Sequence, residues 1–215
     1  MPRYIVIEGC LGAGKTTLVV ELSRRLGVKA FTEQVSHPFI QEFYEDPLST
    51  ALETQLTFVV LHYHQIARAV RNEVFQDDVV SDFFFEKDLI FSKVTLNSRE
   101  DVEILNHLWA TLRTRLPTPD LVLFLDAPTE FLFERIRRRA RGYEAPITFD
   151  FLEMLNNAYR EFMTHYDRSE TVVFDAKHLD ASADGIMQVQ DLIVRKLEEQ
   201  ASIAKSSKKR FRSSR

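Results

Sequence analysis

Gly9-Cys10-Leu11-Gly12-Ala13-Gly14-Lys15-Thr16 satisfies the pattern G-x-x-x-x-G-K-[ST], and Thr17 continues it. Glycines in such a loop let successive backbone N–H groups curl inward toward phosphate oxygens, which bulky side chains would block. A helix opening at Lys15 turns its positive end to the same anion. In this pattern the lysine reaches the β- and γ-phosphates and the Thr16 hydroxyl ligates Mg²⁺. Tyr4-Ile5-Val6-Ile7 ahead of the loop reads as a short strand, and the helical pattern after it runs from Lys15 to about Leu26. Strand, loop and helix together predict that residues 9–17 bind a nucleoside triphosphate, ATP or another, with Mg²⁺. Cys10 reads as a small residue tolerated in a tight loop.

Outward from the loop, strands alternate with helices. Val28 to Thr32 reads as a second strand, and Leu52, Leu56, Val59, Tyr63, Ile66, Val70 and Val74 form a long helical stripe. Val79-Val80 ends a third strand. Val102, Leu105, Leu108, Trp109 and Leu112 mark another helix, and Leu121-Val122-Leu123-Phe124-Leu125 is an apolar run of the kind buried on both faces. A helix from near Thr129 enters the basic stretch 135–141, one follows over about Phe151–Tyr166, then a strand at Thr171–Phe174 and a last helix to about Gln200. Parallel strands need crossover helices, so the expectation is one α/β domain over residues 1–200, a parallel sheet flanked by helices on both faces.

Composition bounds the rest. Of the 215 residues, 45% are hydrophobic and 28% charged, the balance of a compact soluble chain. No apolar run is long enough to cross a bilayer, and Met1-Pro2-Arg3 leads straight into a strand, which predicts a cytoplasmic protein without a secretory leader. Cys10 is the sole cysteine, excluding an internal disulfide framework and a multi-cysteine zinc site. Residues 201–215 carry Lys205, Lys208, Lys209, Arg210, Arg212 and Arg215 and no acid, so the remainder is more acidic than the net charge of −4. This predicts a disordered basic tail on an acidic body, and no nucleic-acid partner.

The phosphate loop does not name the acceptor. Glu33 follows the second strand at the carboxyl edge of the sheet, where ligands bind in open α/β folds. From Ala30 to Ala67 there is no Lys or Arg, while Glu33, Glu42, Glu45, Asp46 and Glu53 are present. A monophosphate acceptor calls for cations, so this segment favours a neutral acceptor with a hydroxyl.

Glu33-Gln34-Val35-Ser36-His37-Pro38-Phe39, with Tyr44-Glu45-Asp46-Pro47 and Gln55 beyond it, resembles the deoxynucleoside kinase family, especially its bacterial deoxyadenosine/deoxyguanosine type. The resemblance implies a P-loop kinase fold. It also implies that Glu33 is the base near the 5′-hydroxyl, that Tyr44 bonds the sugar 3′-hydroxyl and that Gln55 reads the base with its amide. Ser81-Asp82-Phe83-Phe84-Phe85-Glu86-Lys87-Asp88 is similar to that family's D/E-R-S segment. By the same resemblance Asp82 holds the metal and Asp88 faces the base. Phe83 stands where the family has an arginine that contacts the 5′-hydroxyl and the acid, so that contact is absent or supplied otherwise. Asp126, after an apolar strand, is the competing metal reading. His62, where family members have arginine, reads as a polar wall residue.

Arg135, Arg137, Arg138, Arg139 and Arg141 crowd seven positions. Guanidinium groups beside a transferring phosphoryl group stabilise its spread negative charge. The family's R-x-x-x-R-x-R lid matches Arg135, Arg139 and Arg141, leaving Arg137 and Arg138 as surface charge. The resemblance assigns Glu144 to the 3′-hydroxyl beside Tyr44, and implies a homodimer through the long helices.

The resulting expectation is a kinase that moves the ATP γ-phosphate to the 5′-hydroxyl of a deoxynucleoside, a purine deoxynucleoside favoured. Two alternatives are a thymidylate-type monophosphate kinase and a nucleotide-binding regulatory protein with little turnover.

Overall fold

Five parallel strands build the sheet in the order β2-β3-β1-β4-β5. They are β1 (Tyr4–Gly9), β2 (Lys29–Phe31), β3 (Val79–Ser81), β4 (Leu121–Asp126) and β5 (Glu170–Asp175). The structure is a computed structural model that describes residues 3–34, 38–46, 50–179 and 183–213. β1 lies in the middle, with Ile5 in register with Val80 on one side and Leu121 on the other. The connection leaving β1 runs toward the β2 edge and the one leaving β4 toward the β5 edge. Their divergence opens a crevice beyond the carboxyl ends of the strands. Val6, Ile7, Val80, Leu121, Val122 and Leu123 are fully buried, as the unbroken apolar runs of β1 and β4 require.

α1 (Lys15–Leu26) starts directly after the phosphate loop, capped at its far end by Gly27 in the left-handed conformation. α3 (Ala51–Arg71), α4 (Lys87–Thr95) and α5 (Arg99–Arg113) enclose a second apolar cluster of Val59, Ile66, Phe83, Phe85, Leu105 and Trp109. Phe85 stacks on Trp109 at 5.7 Å, and the indole N–H donates to the Phe85 carbonyl at 3.1 Å. The buried Arg113 donates to Glu86 at 2.6 Å, tying the end of α5 to the start of α4. α5 opens on Ser98, whose hydroxyl accepts from the Asp101 N–H, and α7 (Phe149–His165) opens on Thr148 in the same way with Phe151.

Several expectations shift. α2 (Ile40–Glu45) and α4 have no counterpart in the sequence reading, being six and nine residues long, too short to display a 3.6-residue period. α3 stops at Arg71, so Val74 belongs to a following 3-10 turn, and Val70 is exposed. The buried face of α3 is Ala51, Thr54, Gln55, Val59, His62, Ile66 and Ala69, which carries polar groups among apolar ones because it borders a site as well as a core.

The chain divides into two compact units, Met1–Lys177 and His178–Arg215, where the sequence reading has one domain over 1–200. The second unit is dominated by α8 (Ala183–Ser213). Residues 201–213, expected as disordered, continue that helix: Ala, Lys and Arg are good helix formers, and elongation costs less than nucleation. No described helix is long and apolar enough to cross a membrane.

Candidate active site

The phosphate loop takes the shape that its glycines allow. Gly12 has φ +85° and Gly14 φ +96°, in the left-handed region, and a Cβ on Gly12 would lie 2.7 Å from the Leu132 carbonyl oxygen. Lys15 Nζ folds back onto the carbonyl oxygens of Gly9 at 2.5 Å and Cys10 at 3.3 Å. Behind it lies Glu8, fully buried, with one oxygen accepting from the Gly9 N–H at 2.8 Å and 3.8 Å from the Lys15 ammonium. Burial pushes the Glu8 carboxyl up to about 7 against the pull of Lys15. Burial also pushes the Cys10 thiol up to about 12, so it stays a thiol.

The loop opens into a cavity of about 760 Å³. Residues 11–17 line it, as do Glu33, Tyr44, Gln55, His62, Asp82, Lys87, Asp88, Arg139, Arg141 and Glu144. Of the expected site residues, Gly9, Cys10 and Arg135 stand outside that lining: the first two offer carbonyls to Lys15. Arg135 reaches the Ala13 carbonyl at 3.4 Å with its guanidinium beside Gly14.

At the end of the phosphate loop the Thr16 hydroxyl donates to Asp82 Oδ2 at 2.5 Å, while Asp82 Oδ1 accepts from the Glu33 N–H at 2.8 Å. Asp82 thereby joins the loop, the end of β3 and the segment after β2. The competing Asp126 is taken by Arg160, whose Nε donates to it at 2.7 Å, and does not line the cavity. A hydroxyl and a carboxylate side by side suit a hard cation that keeps water and phosphate oxygens as its other ligands. Among the described residues no group of three or more His, Cys, Asp and Glu could by itself hold a metal.

Glu33 follows β2 by two residues. Gln65 of α3 fixes this stretch, donating to the Thr32 carbonyl at 2.7 Å and accepting from the Gln34 N–H at 3.2 Å. Lys87 Nζ lies 2.5 Å from Glu33 Oε2, and His62 Nε2 lies 3.0 Å from Oε1. The other ring nitrogen of His62 is 2.8 Å from Asp88 Oδ1. Burial alone would raise the Glu33 carboxyl; the Lys87 ammonium and the His62 ring outweigh it and hold it far below the usual range. Burial pulls His62 down, and the Asp88 charge together with the hydrogen bonds to Asp88 and Glu33 outweighs it, so its pKa lies above the ordinary value. The wall therefore contains a cation, Lys87, which the cation-free run 30–67 did not announce because it arrives from α4.

Among the described residues, three buried polar atoms in the cavity wall have no partner: Nε2 and Oε1 of Gln55, and Oδ2 of Asp88. Gln55 and His62 are seven residues apart on α3, two turns, and both are fully buried. Also in the cavity wall, Tyr44 stacks on Tyr143 at 6.4 Å. Burial, then the Glu144 charge, push its phenol well above the ordinary value, so it remains a donor. Glu144 is gripped by Arg139 through two hydrogen bonds, 2.7 Å to Oε2 and 2.5 Å to Oε1, with Arg141 3.8 Å away. α6 (Thr129–Arg139) ends on Ala140, φ +50°. Arg137 is no idle surface charge: it lies over the Phe133 ring and donates to the carbonyls of Ala145 and Ile147, pinning the loop that carries Glu144. Arg138 is exposed, as expected. Val35, Ser36, His37 and Pro47 of the motif segments lie outside the described residues.

The deoxynucleoside kinase family model matches residues 5–199. The chain belongs to the deoxynucleoside kinase family. It is 30% identical to a deoxyguanosine kinase of Lactobacillus johnsonii, the match covering 91% of this chain and 92% of that one. It is 32% identical to a deoxyguanosine kinase of Lactobacillus acidophilus over 91% of each chain. Its fold is similar to that of the M. mycoides deoxyadenosine kinase with bound dATP, with a TM-score of 0.77 and 28% identity over 91% of this chain and 99% of the other. The deoxynucleoside kinase fold, a phosphate loop feeding a parallel sheet, is thus common to this chain and its relatives, and the protein is an ATP-dependent phosphotransferase with an alcohol acceptor. Sequence reasoning missed Glu8, Lys87 and Gln65. A charge closing the buried run Tyr4–Ile7 was the available signal for Glu8; Lys87 and Gln65 had none.

Proposed function

We propose that this deoxynucleoside kinase acts on purine deoxynucleosides. The observation that carries the proposal is the trio of unpartnered buried atoms on Gln55 and Asp88, in the same cavity as the phosphate loop and Glu33. A buried amide and carboxylate oxygen left without partners are costly unless a ligand supplies them. The Gln55 amide offers a donating NH2 beside an accepting carbonyl oxygen, which matches the edge of a base. Asp88 Oδ2 is an added acceptor and favours a base with an exocyclic amine, adenine, guanine or cytosine, over thymine and uracil. The names of the relatives, deoxyguanosine and deoxyadenosine kinases, support the purine.

In this reading the loop amides and Lys15 hold the triphosphate, and Thr16 and Asp82 hold Mg²⁺. Held there, the ion would supply positive charge against the phosphate oxygens. Glu33 accepts the hydrogen bond of the 5′-hydroxyl and orients its oxygen at the γ-phosphorus. A carboxylate so deeply stabilised is a weak base, and in a loose transition state the proton leaves late, so orientation is its main contribution. Tyr44 and Glu144 take the 3′-hydroxyl, while Arg135, Arg139 and Arg141 stabilise charge on the moving group. A monophosphate acceptor is disfavoured because Lys87, the cation beside Glu33, is already neutralised by it. Exposed Val60 of α3 and Ile104 of α5 support a homodimer through these helices, and the proposed setting is the cytoplasm.

The test is nucleoside-dependent ADP release over the eight common nucleosides and their monophosphates. Deoxyguanosine or deoxyadenosine is expected to give the highest kcat/KM. Faster turnover of deoxycytidine, thymidine or any other pyrimidine nucleoside, or of any monophosphate, would overturn the reading.

A further inference from the structure

Glu33 is held at both oxygens by cationic side chains from two different helices. Lys87, the first residue of α4, takes Oε2 at 2.5 Å, and His62, in the middle of α3, takes Oε1 at 3.0 Å. The ring of contacts closes through Asp88, adjacent to Lys87 in the chain and 2.8 Å from the other His62 nitrogen. With a carboxylate at each end, the imidazole donates from both nitrogens. Residue 83 contributes no charge to this arrangement. Phe83 is fully buried, 5.3 Å from the Phe31 ring and 5.4 Å from His62, and Lys87 Nζ sits 6.0 Å from its ring centre. The phenyl ring is an apolar floor beneath the ammonium group.

A carboxylate bound at one oxygen can still turn about its terminal bond; bound at both, it cannot. Each Glu33 oxygen retains a second acceptor direction, so the clamp leaves room for a hydroxyl. We infer that Lys87 is a positioning residue for phosphoryl transfer, acting with His62 to fix the Glu33 carboxylate in the one orientation that meets the acceptor hydroxyl. This rests on the reading that Glu33 faces that hydroxyl. Misplacing a reacting group by about 1 Å costs on the order of 100-fold in rate, which sets the size of effect Lys87 controls.

The experiment is a double-mutant cycle on the full chain with ATP, Mg²⁺ and deoxyguanosine or deoxyadenosine, whichever turns over faster. Lys87→Met is expected to lower kcat ~100-fold with the ATP KM within about threefold of the wild type. In a Glu33→Gln background the same substitution is expected to cost less than about threefold more, because Lys87 acts through the carboxylate. Lys87→Arg is expected to recover at least about tenfold of the loss, and methylammonium to raise the rate of Lys87→Ala in proportion to its concentration. The last two readouts also serve if Lys87→Met fails to fold. If Lys87→Met turns over at near-native rate while Glu33→Gln is crippled, the positioning role is overturned and the Glu33 reading stands. If Glu33→Gln itself is near native, the Glu33 reading fails first. An equal penalty for Lys87→Met in both backgrounds, or no response to methylammonium and arginine, also overturns the positioning role.

Discussion

Arg139 and Glu144 face each other in a two-pronged pairing, 2.7 Å from Nε to Oε2 and 2.5 Å from Nη2 to Oε1. The pair links the last residue of α6, a guanidinium assigned to the transferring phosphate, with the carboxylate assigned to the sugar. They lie five positions apart in the chain, and Ala140 in the left-handed conformation makes the reversal that brings them together. Arg139→Ala should lower kcat by ~100-fold, since a charge aimed at the transition state is lost. Glu144→Gln should act chiefly on the nucleoside KM, raising it several-fold while retaining most of kcat. Steady-state kinetics with each substrate varied separates the two; a reversed pattern would exchange their roles.

Glu33→Gln keeps the shape of the side chain and removes its charge. Turnover should fall by ~100-fold or more, while ATP binding measured by calorimetry stays within about threefold. Retention of near-native turnover would remove Glu33 from the chemistry.

Asp82 and Asp126 make opposite predictions for the metal. Asp82→Asn should raise the Mg²⁺ concentration needed for half-maximal rate at least ~10-fold, because the Thr16–Asp82 oxygen pair is broken up as a cation site. Asp126→Asn should leave it unchanged, since that carboxylate is occupied with Arg160. Magnesium titrations of the two variants decide between them.

Glu8 predicts a pH dependence of stability. Its folded-state pKa of about 7 lies above the ordinary value of 4.5, so between pH 4.5 and 7 the folded state holds a proton that the unfolded state has lost. Stability from this group therefore falls as pH rises through that window, by on the order of 3 kcal/mol in total. Glu8→Gln should flatten the fall, read by urea unfolding at pH 5 and pH 8. His62 has the same sign at higher pH: its raised pKa gives stability that is complete below about 6.5 and is lost as pH rises through the folded value.

Loss of the Gln55 amide should be felt by the nucleoside alone. Gln55→Leu should reduce kcat/KM for the preferred nucleoside by ~100-fold while leaving ATP binding intact. An equal loss for ATP would mean that the substitution acts through the fold of α3.

The features readable along the chain were local ones. The strand–loop–helix order around 9–17 and the apolar run of β4 are short-range patterns; Tyr44, Gln55 and Glu144, singled out by the family resemblance, line the cavity. The α3 stripe shows how such a reading strays. Leu52, Leu56 and Tyr63 are only partly buried against the second core, whereas the face holding Gln55 and His62 is buried outright. A period locates a helix, but polar residues on a site-facing side dilute the hydrophobic signal that would orient it.

By itself the sequence determined a nucleotide-binding α/β chain with an acidic acceptor wall and an arginine cluster, because loop glycines, strand runs and charge clusters act over a few residues. Only the tertiary structure decided which charges meet: Lys87 with Glu33, 54 residues apart, His62 between Glu33 and Asp88, Asp82 with Thr16 of the loop, and Asp126 with Arg160. The reason is physical. A buried carboxylate takes whichever cation the packing of helices delivers within about 3 Å, and that distance depends on how α3 and α4 pack together, on which spacing along the chain is silent.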